Sequence, residues 1–177
     1  MSNEFENNRT LKILIVLANY YRDASDDLLK GATSELDKYK KFKRPKSWKT
    51  SEFPFGIFFE GIGREQDLDS EYKLTYEIRY APGVFEIPVM ISGNIEKFHS
   101  FLALGCVIKG ETPHFDFISK AAINGIMNLS INHKKPIMNG IITCLNKKQA
   151  KERADPKKKD KGGEAARAFI HLWGIDK

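Results

Sequence analysis

The sequence predicts an α/β fold, a four-stranded parallel sheet with helices on both faces, and three observations predict it. Apolar or alternating runs of strand length occur four times, at 11–18, 71–80, 101–108 and 137–144, and segments with helical spacing separate them. The first run, LKILIVLA, is apolar at every position but one, as expected of a strand buried on both faces of a parallel sheet. Strands alternating with helices require right-handed crossovers, which place helices on both sides of the sheet. At 177 residues the chain is about one domain long, with an irregular segment inserted at about 41–70.

Each element follows from local chemistry. After the first strand, Leu11 to Ala18, a helix is expected from Asp23 to about Lys40, with Leu28, Leu29, Ala32, Leu36 and Tyr39 on one face. From Lys41 to Ser70 the pattern dissolves into basic, aromatic and glycine-rich stretches. A connection of this length is uncommon inside a compact domain, and its Phe53, Phe55, Phe58 and Phe59 are expected to be packed while 41–50 faces solvent. The second strand, Glu71 to Tyr80, ends in the turn Ala81-Pro82-Gly83, and a helix is predicted from Val84 or Phe85 to about Phe98 with Pro88 in its first turn. The third strand, Phe101 to Ile108, breaks at Gly110, and a long helix is predicted to run to His133, with Thr112 as its N-cap and Pro113 as its first residue. Pro136 precedes the fourth strand, Ile137 to Cys144. Helical signal returns at Lys147 to Ala154, stops at Asp155-Pro156, and resumes from Glu164 to about Trp173.

The stretch 101–118 organises the functional reading. A strand feeding a helix through a glycine turn is where α/β proteins bind ligands. The backbone amides of Glu111 and Thr112 lie near a positive helix end that favours an anion such as phosphate, and His114 falls in the first turn, placed to move protons near neutral pH. The same residues also suit a plain helix cap. Tyr20, at the exit of the first strand, can form a flat wall for a planar ligand or merely pack. Glu86 reaches the same edge as a hydrogen-bond acceptor or complements its own helix dipole. Convergence of three strand ends brings Tyr20, Glu86, His114 and the 111–112 amides to one crevice.

Composition narrows the alternatives. No apolar run approaches the roughly 20 residues of a membrane span, and the first ten residues lack the apolar core of a signal peptide, so cytoplasmic residence without membrane association is expected. Cys106 and Cys144 both sit in strand-like runs and read as buried free thiols; metal-ligand spacing is absent. The net charge of +6 is concentrated in two runs, seven basic residues in 38–49 and eight in 147–161. Neither is interleaved with stacking aromatics beyond Phe42 and Trp48, which disfavours nucleic acid as a partner.

The blocks APGVFEIP (81–88), ALGCVIKGETPHFDFI (103–118) and PIMNGIITCLNKKQAKERAD with KGGEAA (136–166) resemble the lumazine synthase family. The resemblance runs from about Lys12 to the end, apart from 41–70. It implies a flavodoxin-like three-layer α/β/α sandwich assembled into homopentamers, sometimes decamers or sixty-subunit shells, with active sites between subunits and riboflavin synthase as a partner. It implies condensation of 5-amino-6-(D-ribitylamino)uracil with L-3,4-dihydroxy-2-butanone 4-phosphate to 6,7-dimethyl-8-ribityllumazine, phosphate and water, in riboflavin biosynthesis, with no metal or organic cofactor.

By similarity, Tyr20 stacks on the pyrimidine, Val84, Phe85 and Glu86 hold the ribityl chain and ring edge, and Cys106, Val107 and Ile108 line the ring pocket. The amides of Glu111 and Thr112 meet phosphate, and His114 is the proton-transfer residue. Arg153 is the phosphate-binding arginine, Lys161 reaches the ribityl and phosphate region, and Asn139 comes from the adjacent subunit. The chain departs from the family pattern where Tyr20 replaces the commoner Phe or Trp, Lys109 the frequent Arg, and Asn139 an aromatic; its 41–70 connection is also much longer. Two other readings use the same residues: a non-catalytic lumazine or flavin carrier on this scaffold, and a polyanion binder using the basic runs.

Overall fold

The structure is a computed structural model that describes residues 9–43 and 71–175. Five strands form one sheet: β1 (Thr10–Ala18), β2 (Lys41–Lys43), β3 (Glu71–Ala81), β4 (Ser100–Ile108) and β5 (Ile137–Cys144), in the order β2-β3-β1-β4-β5. Among the described residues five α-helices accompany them: α1 (Arg22–Leu36), α2 (Ile87–Ser92), α3 (His114–His133), α4 (Lys147–Ala154) and α5 (Lys161–Leu172). The predicted α/β class holds, with one correction to the sheet. Four strands are parallel, but β2 pairs antiparallel with β3 through Lys41, Phe42 and Lys43, so the sheet is mixed and has five strands. Three residues are too short for a periodic signal, and Phe42 is buried in the core, its ring centroid 5.8 Å from that of Tyr72.

Side-chain alternation along β1 builds the layers. Leu11, Ile13, Ile15 and Leu17 join one core with Ala32 and Leu36 of α1 and Ala166, Phe169 and Ile170 of α5. Leu14, Val16 and Ala18 join another with Ile87 and Ile91 of α2 and Ala122 and Ile126 of α3. Both faces of the strand are thus covered, which explains why its sequence does not alternate. Near the carboxyl end of the sheet, α4 extends the α1 side through Ala150 and Ala154, packed with Cys106, Ile142 and Cys144.

Several boundaries differ from the sequence reading. The first helix ends at Leu36 and a 3-10 turn covers Asp37–Tyr39. The helix expected to reach Phe98 is a 3-10 turn, Val84–Glu86, followed by a short α2 that stops at Gly93, because Asn94 turns back to donate its side-chain amide to the Met90 carbonyl at 2.8 Å. Pro88 does fall in its first turn. The cap of α3 is Pro113 rather than Thr112, and makes no side-chain cap bond. Helix α5 begins at Lys161, three residues earlier than expected, because Asp160 in the left-handed region (φ 43°) accepts a hydrogen bond from Gly163 N–H at 3.1 Å. Phe53, Phe55, Phe58 and Phe59, and the 44–50 part of the basic stretch, lie outside the described residues.

Two features set the stability of this frame. Helices α1 and α5 cross so closely that a Cβ on Gly162 would overlap the Leu28 carbonyl and stand 2.6 Å from its carbon. Both obstacles are backbone, so Gly162→Ala must push the helices apart. The expected cost is about 3 kcal/mol or more, read as a fall of roughly 6–12 °C in Tm; an unchanged Tm would disprove the close crossing.

At the opposite end of the sheet, Lys12 N–H donates to His99 Nδ1 and His99 N–H donates to the Lys12 carbonyl, both at 2.9 Å, clamping β1 to the start of β4. Burial, with the Lys135 ammonium nearby, lowers the His99 pKa from 6.5 to about 4. The unfolded chain therefore binds the extra proton first, so this contribution is complete above pH 6.5 and is lost as pH falls towards 4. The wild type should lose up to about 1.4 kcal/mol per pH unit across that window relative to His99→Asn, which retains an acceptor for Lys12. Parallel pH profiles of urea unfolding would exclude it.

Candidate functional site

The carboxyl ends of β1, β3 and β4 meet around a cavity of about 610 Å³. Asn19 N–H donates to the Ala81 carbonyl at 3.0 Å, holding the exits of β1 and β3 together, and the Ser25 hydroxyl donates to the Ala18 carbonyl at 2.6 Å, fixing the turn into α1. Tyr20 stands at that turn with 73% of its surface exposed, its ring edge-on to Tyr21 at 4.9 Å. On the β3 side, the 3-10 turn sets Val84, Phe85 and Glu86 against the cavity. It can sit there because β4 carries Gly105, whose absent Cβ would lie 2.8 Å from Val84 Cγ2 and 2.9 Å from Ala18 Cβ.

Strand β4 supplies Cys106, Val107 and Ile108, and the following turn and helix supply Thr112 and His114. Nine of the thirteen residues singled out from sequence therefore line one wall: Tyr20, Val84, Phe85, Glu86, Cys106, Val107, Ile108, Thr112 and His114. Glu111 lies in the same turn, exposed and off the lining. The Pro113 carbonyl accepts from Asp116 N–H at 3.0 Å, but no cap side chain covers the start of α3, which leaves that helix end suited to an anion. Phe115 and Ile118 also line the cavity and were not singled out. Ile118 lies four residues along the helix from His114, on the same face, and that spacing carries its signal; the spacing of Phe115 gives none.

The remaining three, Asn139, Arg153 and Lys161, line a separate cavity of about 240 Å³ with Met138, Ile142 and Glu164. It lies beside β5, the last strand of the sheet. Asn139 is paired with Ala103, five residues before Cys144, so it stands roughly 16 Å back along the strand from the end that forms the first cavity. Its Oδ1 accepts from Ile141 N–H at 3.0 Å, and the Lys161 ammonium pairs with Glu164. Arg153 is half-buried, and its Nε is buried without a partner in the structure.

The β4–β5 wall behind the first cavity is closely packed, with Cys106 5% and Cys144 1% exposed. Burial pushes the Cys106 thiol up to about 12, with Cys144 beside it adding to the rise and the Arg153 charge opposing it. Burial raises Cys144 as well, again against Arg153. Both cysteines are free, as expected from sequence. Burial, then Tyr20 and Cys106, raises the Tyr21 phenol. Among the described residues no group of three or more His, Cys, Asp or Glu is placed to hold a metal ion, and no helix is long and apolar enough to cross a membrane.

Comparison with known proteins gives one family. The family profile described as 6,7-dimethyl-8-ribityllumazine synthase matches residues 65–177. A protein of that name from Afipia carboxidovorans is 34% identical over 171 residues, covering 93% of this chain and 85% of its own. Another from Agrobacterium fabrum is 33% identical over 172 residues, covering 93% and 94%. The match to a third, from Methylocella silvestris, is 41% identical over 107 residues and spans 56% of this chain and 65% of that protein.

The raised thiols give a direct test of the wall. At pH 7.5 neither Cys106 nor Cys144 should be alkylated by iodoacetamide in the folded protein over an hour, while urea-unfolded chain should take up both adducts by intact mass. Rapid labelling of folded protein would show that the wall is open to solvent.

Proposed function

The chain belongs to the 6,7-dimethyl-8-ribityllumazine synthase family, and on that premise we propose that it condenses 5-amino-6-(D-ribitylamino)uracil with L-3,4-dihydroxy-2-butanone 4-phosphate in riboflavin biosynthesis. The protein is a transferase-type enzyme of that family. One observation carries the reading to the site: an aromatic, a carboxylate, a histidine and an uncapped helix end surround one cavity of about 610 Å³.

Each group answers a need of the chemistry. The pyrimidine's 5-amino group attacks the ketone and water leaves to give an imine; loss of phosphate unmasks a second carbonyl by way of its enol, and attack on that carbonyl by the ribitylamino nitrogen, with loss of a second water, closes the lumazine ring. Tyr20 stacks on the pyrimidine from its exposed position at the β1 exit. Glu86 accepts hydrogen bonds from the ribityl chain and ring edge, with Val84 and Phe85 alongside, and Cys106, Val107 and Ile108 form the apolar floor. His114 moves the protons that imine formation and elimination require, within reach of a phosphate held by the Glu111 and Thr112 amides. Much of the acceleration comes from holding two reactants in register, since the acid–base demand is modest.

Asn139, Arg153 and Lys161 complete the site from a neighbouring subunit. They share a cavity at the β5 edge, apart from the first cavity, so they reach a ligand together when that edge faces the open mouth of another copy. Arg153, with its unpartnered Nε, grips the phosphate through a two-point fork that lysine cannot reproduce. The exposed apolar residues Val89 on α2 and Phe117, Met127 and Ile131 on α3 support burial against further copies. The assembly is a homopentamer, in the cytoplasm, of a single flavodoxin-like domain bearing the 41–70 insertion, with riboflavin synthase, the enzyme that consumes the product, as a partner.

Mixing both substrates with the protein tests the reading: lumazine absorbance and inorganic phosphate should rise together. His114→Ala should lower kcat by about ten- to a hundredfold without abolishing turnover, because general acid–base help is worth roughly two to four decades at most and alignment survives. An unchanged kcat would remove His114 from the mechanism.

A further inference from the structure

Between residues 147 and 161 the chain carries eight basic and three acidic residues, a net of +5 out of the whole chain's +6. This charge has a shape. Lys148 and Lys151 on α4, with Lys158 and Lys159 on the turn before α5, line an open depression of about 420 Å³ that also contains Glu152. All four lysines are exposed. Two are only loosely neutralised, Lys159 by Glu152 at 3.4 Å and Lys158 by Asp155 at 3.8 Å, and among the described residues Lys148 and Lys151 have no acidic partner within ion-pair distance. The helix that carries Lys148 and Lys151 also carries Arg153, and the turn that carries Lys158 and Lys159 leads into Lys161. Exposed and half-buried charge thus share the same two segments, and Arg153, which lines the neighbouring β5-side cavity, has a buried Nε without a partner.

We propose that this lysine depression is an anion-collecting surface that concentrates the phosphate-bearing four-carbon substrate around the α4–α5 segment that carries Arg153. The inference rests on the reaction assigned above. Exposed lysines hold a phosphate weakly one at a time, because each competes with hydration and salt. Several of one sign around a concave surface act together over a distance of the order of a Debye length, about 8 Å at physiological ionic strength, and raise the local anion concentration. Collection is the role their exposure permits, while the half-buried guanidinium supplies the directional grip. A nucleic-acid strand is the competing occupant, but no aromatic side chain lines the depression for bases to stack on.

The test replaces Lys148, Lys151, Lys158 and Lys159 by Gln in the full chain, leaving Arg153 and Lys161 in place. At low salt, KM for the butanone phosphate should rise about threefold to tenfold, and the difference from wild type should close at an ionic strength of about 0.5 M. Turnover at saturation and KM for the uncharged pyrimidine should not move, and Arg at the same four positions should behave as wild type because charge, not lysine, is used. Equal KM values for the two proteins at low salt would overturn the inference while leaving the assigned reaction intact. Should the wild type form no lumazine, the assigned reaction fails separately, and titration with inorganic phosphate decides: the Gln variant must bind it more weakly at low salt by a similar factor. Loss of affinity for a labelled single-stranded oligonucleotide with no change in either phosphate measurement would assign the depression to a polyanion instead and also overturn the proposal.

Discussion

Strand β1 is hydrogen-bonded on both edges and covered on both faces, and the rest of the molecule follows from that double confinement. Its partners β3 and β4 run parallel to it, so each must be reached by a crossover, and the crossovers bring helices to both faces. Leu11 and Ile13 to Leu17 are fully buried, so the strand presents no chemistry along its length. Only its end is available. There the neighbouring strands finish within a few residues of one another, held by the Asn19–Ala81 hydrogen bond, and the turns that follow supply the polar groups.

A second constraint acts on the other side of the sheet. The close crossing of α1 and α5 depends on glycine at 162, and a set of ion pairs anchors the start of α5 across it: Arg167 reaches Glu35 at 2.9 Å and Asp160 at 2.8 Å. These side chains are partly exposed and contribute modestly to stability. Their effect is positional. Asp160, held in a left-handed conformation as the cap of α5, sets where the 155–159 turn ends and where Lys161 emerges. The packing of two helices far along the chain from His114 thereby fixes the basic residues beside β5.

Long, periodic elements were legible in the sequence, and short or conditional ones were not. The four parallel strands show because burial on two faces leaves continuous apolar runs. Strand β2 does not, since three residues, of which Phe42 alone is buried, are too few to show a period. The N-cap was misread at Thr112 because a favourable cap residue and a favourable first-turn proline coincide there, yet the backbone of Pro113 is already the cap. The early stop of α2 depends on a side chain of Asn94 folding back, which no pattern of apolar residues reports. For the site, residue type and strand-end position identified Tyr20, Glu86, Thr112 and His114, and the family resemblance added Val84, Phe85, Cys106, Val107 and Ile108; all nine share a cavity. The separation of Asn139, Arg153 and Lys161 from them was legible for Asn139 alone, through the family resemblance; for the other two it depends on where β5 sits in the sheet order, a topological fact that spacing does not encode.

That separation has a consequence for how copies of the chain can associate. One chain carries an open apolar mouth with a histidine at the ends of β1, β3 and β4, and elsewhere an edge with an unpartnered arginine. If a mouth is completed by a neighbour's edge, the two contacting surfaces are different, and the contact is heterologous rather than self-complementary. Such contacts cannot stop at a pair, because the second copy still has an empty mouth and the first an unused edge. They either run on without limit or close into a ring, and a ring satisfies every mouth with as many sites as chains. A homopentamer is one such closure, so the assembly and the two-part site proposed for this enzyme would both follow from a single asymmetry in the fold.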